Sequence, residues 1–279
     1  MSRKVIFLDI DGTLCNEYGV VPPSAIEACQ QARANGHQIF LCTGRSKIEI
    51  YDFIMEIGFD GVIGAAGGYI ELDGEILKHI KMSESDLSKI KTFCESRGIH
   101  YLFESNSGIF ASLNCSAYLS ELFEEYVGFD EVARLEKEKG LDPFLEAIIE
   151  CENPVRDDVN KVAFLHSKTT VDEVVEFFKD QFHIIPGTVP AYGPNSGEIM
   201  IPGIHKAQAI ETLLQQLGVS REETIAFGDG MNDVEMLQFV NIGIAMGNAK
   251  DAVKQYANDI TDHVDEDGLY NGFKKLNLI

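Results

Sequence analysis

Short apolar runs alternate with helical patterns through the first 65 residues of the chain. Apolar runs at 5–10, Gln38–Cys42 and Gly61–Gly64 are separated by predicted helices at Pro23–Ala34 and 47–57. This order predicts parallel strands joined by right-handed crossovers, with helices on both faces of the sheet. Such a sheet binds its ligands at the carboxyl ends of its strands.

The same alternation returns near the end of the chain, in predicted elements at 206–217, 224–227, 233–239, 241–245 and 251–257. Between the two regions, residues 82–190 form a separate pattern of helices and strands. We therefore predict an α/β fold whose core is a doubly wound, Rossmann-like parallel sheet built from residues 1–81 and 191–279. Residues 82–190 are predicted to be an inserted α/β cap domain.

A hairpin is predicted just before the insertion, with strands at Tyr69–Leu72 and Glu75–His79 around the turn Asp73-Gly74. Strands near 183–185 and 198–201 are predicted to return the chain to the core. The stretch 128–160 shows no clear periodicity, so no element is assigned to it.

The chain is strongly acidic, with a formal net charge of -22 over 279 residues and 45% hydrophobic residues. Nucleic-acid binding depends largely on Lys and Arg that displace counterions, so no nucleic-acid partner is expected. An acidic protein that binds an anionic substrate must create local positive potential from a bound cation, a few basic side chains and backbone N–H groups.

Six dispersed cysteines form no C-x-x-C pair, which favours reduced thiols in a cytosolic protein. No signal-peptide pattern precedes the first strand, and no apolar run has the length of a membrane span. We expect a cytoplasmic protein without a membrane partner.

The segment Asp9-Ile10-Asp11-Gly12-Thr13 directly follows the first buried run. Strand alternation places Asp9 and Asp11 on one side, and Gly12 lets the chain turn away. Two like charges so close are costly unless a cation lies between them or one carboxyl group holds a proton. Both conditions suit phosphoryl transfer, although a solvated turn would explain this motif taken alone.

Two further segments could bind an anion. Thr43-Gly44-Arg45 lies between a strand and a predicted helix, where a hydroxyl and backbone N–H groups can form an oxyanion cradle. Lys206 opens a predicted helix and could project a positive charge towards the same strand ends. Taken alone, Thr-Gly is common at helix starts and a lone lysine is usually a solvated surface charge. We interpret the neighbouring His205 as a partly exposed helix-entry residue, because Asp11 can already serve as acid and base.

The segment 227–233, Phe-Gly-Asp-Gly-Met-Asn-Asp, also follows an apolar strand and precedes a helix. Asp229 and Asp233 offer the hard oxygen ligands that Mg²⁺ prefers, and Asn232 can donate a hydrogen bond to a phosphate oxygen. An acidic loop without a metal is the plain alternative. In a doubly wound fold, however, all four segments would meet at one crevice.

The ordered set D-I-D-G-T, T-G-R, K and G-D-G-M-N-D resembles the haloacid dehalogenase-like (HAD) hydrolase superfamily. The large α/β insertion between the second and third motifs resembles the Cof-type, class IIB phosphatases of that superfamily. The resemblance implies a phosphatase in which Asp9 attacks phosphorus, while Asp11 protonates the leaving alcohol and then activates water.

The resemblance also implies the binding groups. Phosphoryl oxygens would be held by Thr43, the backbone of Gly44, Lys206 and Asn232. The cofactor Mg²⁺ would be bound by the Asp9 carboxylate, the Asp11 main-chain carbonyl and Asp229, with Asp233 as a ligand or as a neighbour of the ligands. The inserted domain would act as a lid that selects the leaving group.

One segment departs from the family pattern. Many relatives have Asn-Gly after the third strand, whereas this chain has Ala65-Ala66-Gly67-Gly68, with Ala66 in the Asn position. Any substrate contact that the family makes through that Asn is therefore not carried over to this chain. Gly67 and Gly68 could allow close approach of the backbone.

The favoured substrate is a small phosphorylated metabolite such as a sugar phosphate, with pyridoxal phosphate and flavin or nucleotide monophosphates as other candidates. A phosphotransferase or phosphomutase remains open, and an assay of transfer to water against transfer to an acceptor separates the two. A third hypothesis is a non-catalytic regulatory binding protein. The acidic residues beside Lys206 argue against it, because a scaffold has no reason to keep a repulsive cluster there.

Overall fold

A computed structural model describes residues 3–127, 144–187 and 189–279. The chain divides into two compact units. The core unit comprises Met1–Arg45, Ile50–His79 and His205–Ile279, and the inserted unit comprises Ser46–Glu49 and Ile80–Ile204. The predicted end of the insertion at residue 190 was therefore too early.

The strands in chain order are β1 (Val5–Leu8), β2 (Gln38–Cys42), β3 (Gly61–Gly64), β4 (Tyr69–Leu72), β5 (Glu75–His79), β6 (Tyr101–Ser105), β7 (Ile109–Ala111), β8 (Ile148–Glu150), β9 (Val159–Phe164), β10 (His183–Pro186), β11 (Gly197–Met200), β12 (Thr224–Gly228), β13 (Ile242–Ala245) and β14 (Asp259–Ile260). The α-helices whose bounds lie within the described residues are α1 (Pro23–Ala34), α2 (Asp52–Met55), α3 (Glu84–Arg97), α4 (Cys115–Val127), α5 (Val171–Phe178), α6 (Lys206–Leu217), α7 (Val234–Phe239), α8 (Asp251–Lys254) and α9 (Gly268–Lys275).

The core unit is built on a sheet with the strand order β14-β13-β12-β1-β2-β3-β4-β5. The strands from β14 to β3 pair in parallel, and β4 and β5 add an antiparallel hairpin at one edge. Because β1 lies between β12 and β2, the segments that follow these three strands emerge at one edge of the sheet. The predicted doubly wound core is confirmed.

Side chains alternate between the two faces of this sheet, as its strand periodicity requires. Ile6 and Leu8 of β1 belong to the apolar cluster that includes α1 and α9, whereas Val5 and Phe7 belong to the cluster that includes α6 and α7. Helices thus cover both faces. Strands β1 and β3 are fully buried and β2 is buried except at Gln38, which explains their nearly continuous apolar sequences.

The inserted unit has its own sheet, in the order β10-β11-β9-β6-β7-β8. Helices α3 and α5 contribute to the apolar cluster on one face, and α4 contributes to the cluster on the other. Strands β10 and β11 pair with each other and β11 pairs with β9, so they complete this sheet instead of returning the chain to the core. That placement corrects the predicted role of 183–185 and 198–201.

The predicted hairpin is confirmed. Asp73 and Gly74 have φ values of 51° and 80°, the left-handed conformation that a tight two-residue turn requires. Helix α3 begins after Ser83, whose hydroxyl accepts a hydrogen bond from the N–H of Asp86, and it ends at the left-handed Gly98.

The helix predicted over 47–57 is wrong, because a 3₁₀ turn at Lys47–Glu49 and the short helix α2 replace it. Ser46–Glu49 belong to the inserted unit, whereas Ile50–His79 belong to the core unit. Asn160 Nδ2 donates a 2.9 Å hydrogen bond to Ser46 Oγ, and the Lys47 N–H donates to Asn106 Oδ1 at 3.3 Å. Residues 46–49 therefore fold with that unit, and the helical pattern is interrupted.

Within 128–160, where the sequence shows no clear pattern, residues 128–143 lie outside the described residues, and β8 and the start of β9 occupy part of the remainder. All six cysteines are free thiols, as predicted, and five of them are buried. Every helix in the described ranges is too short or too polar to span a bilayer.

Candidate active site

Asp9, the first acidic residue of the D-I-D-G-T motif, lies directly after β1. The Asp9 N–H donates to the carbonyl of Phe227 in β12 at 3.1 Å, which extends the parallel pairing by one residue. The Asp9 side chain is 7% exposed. Its carboxylate thus lies at the carboxyl end of the central strand, beside the segment that follows β12.

Lys206 is buried beneath this carboxylate, with its side chain 0% exposed. Its Nζ donates to Asp9 Oδ1 and to Asp233 Oδ1, each at 2.6 Å. Burial alone would lower the pKa of Lys206, but the carboxylates of Asp233 and Asp9 raise it above its usual range. The ammonium group is therefore a fixed positive charge, and the reading of Lys206 as a solvated surface residue is excluded.

Asp233 organises the loop after β12. Its Oδ2 accepts hydrogen bonds from the N–H groups of Asp229 and Gly230, at 3.0 and 2.9 Å, while Oδ1 accepts from Lys206. Both carboxylate oxygens are thus engaged within the protein. The side chain is 0% exposed, so the loop conformation and the lysine position depend on each other.

Carboxylate oxygens of Asp9, Asp229 and Asp233 lie within 4.8 Å of one another, which is close enough to share one cation. Burial, followed by the charge of Asp233, raises the pKa of Asp9 and raises that of Asp229 to about 7. Such crowding of buried like charges is what a divalent cation relieves, and carboxylates are the ligands that Mg²⁺ prefers. The residues present therefore fit a magnesium ion.

Gly12 allows the Asp229 side chain to reach this position. The φ of Gly12 is +78°, and a Cβ built on it would lie 2.5 Å from Asp229 Cγ. Any side chain at residue 12 would displace the carboxylate. Thr13 Oγ1 also donates to Asp229 Oδ1 at 3.1 Å, so the first and last motifs are joined directly.

The second motif lies beside the last. Thr43 is 1% exposed, and its N–H donates to the carbonyl of Ile63 at 2.8 Å. A Cβ placed on Gly44 would lie 3.5 Å from Asn232 Nδ2, so the exposed Asn232 amide stands next to the Thr43-Gly44 backbone. The structure thus brings close together Thr43, Gly44 and Asn232, three of the residues that the sequence suggested for holding a phosphate.

Asp11 is oriented differently from the other acidic residues. Its side chain is 60% exposed, and its carboxylate forms an ion pair with Arg45. The sequence motif included Arg45, but no role was assigned to it. Its position as the third residue of the T-G-R segment was the available signal.

The backbone after β3 approaches the start of α6 closely. A Cβ on Gly67 would lie 2.6 Å from the His205 carbonyl oxygen, which confirms the predicted close approach at this glycine. Ala66 adopts a φ of 54°, a conformation in which Asn is more common than Ala. His205 is exposed and caps α6, since its Nδ1 accepts from the N–H of Gln208 at 3.3 Å, in agreement with its interpretation as a helix-entry residue.

The inserted unit contains a buried polar cluster that sequence reasoning missed. Lys161 Nζ contacts Glu104 Oε2 at 3.1 Å and Glu198 Oε2 at 2.9 Å. Burial alone would lower the pKa of Lys161, but these two carboxylates raise it. The available signal was the occurrence of Glu104 and Lys161 within otherwise apolar strands.

Comparisons with known proteins agree with this geometry. The sequence pattern of the family described as haloacid dehalogenase-like hydrolase matches residues 6–273. The phosphatase YwpJ of Bacillus subtilis (strain 168) is 27% identical over 98% of this chain and 99% of its own length. The pyridoxal phosphate phosphatase YbhA of Escherichia coli (strain K12) is 26% identical over 92% of this chain and 93% of its own. The solved structure of the HAD subclass IIB sugar phosphatase BT4131 is 28% identical, covers 99% of this chain and 100% of its own, and superposes with a TM-score of 0.74.

Proposed function

The chain belongs to the haloacid dehalogenase-like hydrolase family and is a phosphatase of the Cof type, and we propose that it hydrolyses a small sugar phosphate with Mg²⁺ through an aspartyl-phosphate. One observation carries the proposal. The buried Lys206 donates 2.6 Å hydrogen bonds to Asp9 and Asp233, whose carboxylates lie beside that of Asp229. This arrangement supplies a nucleophile, a fixed positive charge and a cation site within one cluster.

Two displacements at phosphorus make up the proposed reaction. In the first, a carboxylate oxygen of Asp9 bonds to phosphorus, the bond from phosphorus to the substrate oxygen breaks, and Asp11 gives its proton to the leaving alkoxide. In the second, Asp11 takes a proton from water, the water oxygen bonds to phosphorus, and Asp9 is released with inorganic phosphate. A covalent intermediate divides one difficult displacement into two easier ones.

The binding groups hold the substrate in line with Asp9. Lys206 fixes Oδ1 of Asp9 by its 2.6 Å hydrogen bond and so orients the attacking carboxylate. We assign the phosphoryl oxygens to Thr43, the Gly44 N–H, Lys206 and Asn232. Because catalysis of phosphoryl transfer is mostly positioning and charge neutralisation, these groups account for much of the rate.

Magnesium would be held by the Asp9 carboxylate, the main-chain carbonyl of Asp11 and Asp229. When bound, it supplies positive charge that polarises the phosphoryl group. Both oxygens of Asp233 already accept hydrogen bonds, from Lys206 and from two backbone N–H groups. We therefore assign Asp233 to orienting Lys206 and the loop, in preference to binding the ion directly.

We further propose that the inserted unit acts as the cap domain and selects the leaving group. The cluster of Glu104, Lys161 and Glu198 offers charged acceptors and a donor that suit the hydroxyl groups of a sugar better than an aromatic ring. The structurally similar BT4131 is a sugar phosphatase, which supports this preference, whereas the relative YbhA is a pyridoxal phosphate phosphatase.

A panel of phosphomonoesters tests the proposal. Release of inorganic phosphate is measured with Mg²⁺ for hexose and pentose phosphates, pyridoxal phosphate and nucleotide monophosphates, and kcat/KM is compared. We expect kcat/KM for a sugar phosphate to exceed that for every other substrate in the panel by at least about tenfold, and we call this ratio the lead. Lys161→Met should reduce that lead, whereas the control Lys89→Met, at a half-buried position on α3 of the same unit, should preserve it. If pyridoxal phosphate leads, the substrate assignment is wrong although the enzyme class stands.

A further inference from the structure

Arg45 donates two hydrogen bonds to the carboxylate of Asp11. Its Nε donates to Oδ2 at 2.9 Å, and its Nη2 donates to Oδ1 at 2.6 Å. This is the fork-to-fork geometry in which a guanidinium fixes both the position and the plane of a carboxylate. Both oxygens of Asp11 are therefore oriented by one side chain.

Arg45 is itself held firmly. Its N–H donates to Thr43 Oγ1 at 3.1 Å, and its carbonyl accepts from the N–H of Ala65 at 2.8 Å. The guanidinium carbon lies 5.6 Å from the centre of the Tyr51 ring, within the range of a cation–π contact. The Arg45 side chain is 18% exposed, against 60% for Asp11. The ion pair thus joins a constrained cation to an exposed carboxylate.

We propose that Arg45 is the positioning residue for the acid/base group Asp11. The proposal rests on the proposed function, which assigns proton transfer to Asp11. An exposed aspartate samples several rotamers, and a misplacement of about 1 Å can cost on the order of 100-fold in rate. The two parallel hydrogen bonds from the Arg45 guanidinium, referred to below as the fork, restrict Asp11 to one orientation. Either hydrogen bond can be released during proton transfer while the other keeps the carboxyl group in place.

The fork also explains why the residue is arginine. A lysine could supply the charge but would donate from a single nitrogen on a flexible stem. It would leave the plane of the Asp11 carboxylate free to rotate. Arg45→Lys is therefore expected to recover part of the activity that Arg45→Ala loses, and its smaller change keeps the test valid if the alanine variant folds poorly.

A double-mutant cycle tests the coupling. Kinetics with a sugar phosphate are measured for wild type, Arg45→Ala, Asp11→Asn and the double variant. Arg45→Ala should lower kcat about tenfold to 100-fold, with KM changed less than about threefold. In the Asp11→Asn background the same substitution should lower kcat by less than about twofold, because Asp11 no longer transfers a proton.

Two further measurements separate positioning from a merely structural role. Millimolar guanidine hydrochloride should restore part of the kcat of Arg45→Ala, since the free cation can pair with Asp11. Arg33→Ala serves as the matched control, because Arg33 contacts Asp60 in the core unit through one 3.4 Å pair and is 39% exposed. Its kcat should equal that of wild type, with and without guanidine.

Three results would overturn the role of Arg45. These are an unchanged kcat in Arg45→Ala and Arg45→Lys, an equal loss of kcat in the presence and absence of Asp11, or a rise in KM alone, which would indicate direct substrate binding. Full activity of Asp11→Asn would instead contradict the proposed function of Asp11. The two failures are therefore distinguishable.

Discussion

Lys206→Met replaces a buried ammonium group with an apolar side chain of similar length. In the protein this ammonium donates to Asp9 and Asp233 at 2.6 Å, and its side chain is 0% exposed. Removing one partner of a buried ion pair typically costs about 3–5 kcal/mol, because the remaining charge is buried without compensation. We expect a loss of that size in the free energy of unfolding at pH 8, measured by urea denaturation in the presence of EDTA.

The loss should be smaller at acid pH. Burial and Asp233 already raise the pKa of Asp9, and removal of Lys206 should raise it further. A carboxyl group with a raised pKa in the folded protein destabilises that protein as pH rises from the pKa of the unfolded chain to the raised value, and this cost is absent below the pKa of the unfolded chain. The variant should therefore recover at least about 1 kcal/mol of its loss at pH 5 relative to pH 8.

Lys91→Met is the matched control, since Lys91 pairs with Glu95 on the surface of α3 at 2.8 Å. Exposed pairs of this kind contribute little, so its effect should stay within about 0.5 kcal/mol at either pH. A loss below about 1 kcal/mol for Lys206→Met at pH 8 would refute the argument, because such pairs are expected to cost more when broken. Equal losses at the two pH values would refute it as well.

Three other outcomes are expected. Because the pKa of Asp229 is raised to about 7, protons should compete with the metal, and the Mg²⁺ concentration for half-maximal activity should rise about tenfold from pH 8 to pH 6; a requirement independent of pH would contradict this. Gly12→Ala should weaken Mg²⁺ binding at least about tenfold in a calorimetric titration by displacing Asp229, whereas Gly19→Ala, with a similar φ of +77° and no atom within 4 Å of the new Cβ, should not. Ala66→Gly should raise the free energy of unfolding by up to about 1 kcal/mol, because glycine adopts a φ of 54° without the strain that alanine has there. A free energy of unfolding below that of wild type would show that this backbone is not strained.

The core could be predicted well because its strands and helices carry local signals. The bounds of α1, β2, β3 and α6 match those predicted from the alternation of apolar runs and helical patterns. The segment 47–57 could not be predicted in the same way, since the start of this segment forms hydrogen bonds with Asn106 and Asn160, which are distant in sequence. The end of the insertion depended on the pairing of β11 with β9, which is also a non-local property.

The acidic cluster of Asp9, Asp229 and Asp233 and its partner Lys206 were predicted from motif order, and the structure brings them together. Local sequence did not reveal that Asp233 engages both of its oxygens within the loop and with Lys206. Nor did it reveal the pairing of Arg45 with Asp11, because that contact depends on how the segments after β1 and β2 converge. Residue types could therefore be assigned from the sequence, whereas the partners of each side chain required the fold.

Detection of the phosphoryl group on Asp9 is the most direct test of the proposed mechanism. The enzyme is mixed with substrate and Mg²⁺, quenched in acid within milliseconds and digested, and the phosphorylated peptide is located by mass spectrometry. We predict one phosphoryl group on the peptide containing residues 5–15, assigned to Asp9 and absent from the folded Asp9→Asn variant. Phosphorylation at another residue, or turnover by Asp9→Asn at the wild-type rate, would contradict the role of Asp9 as nucleophile.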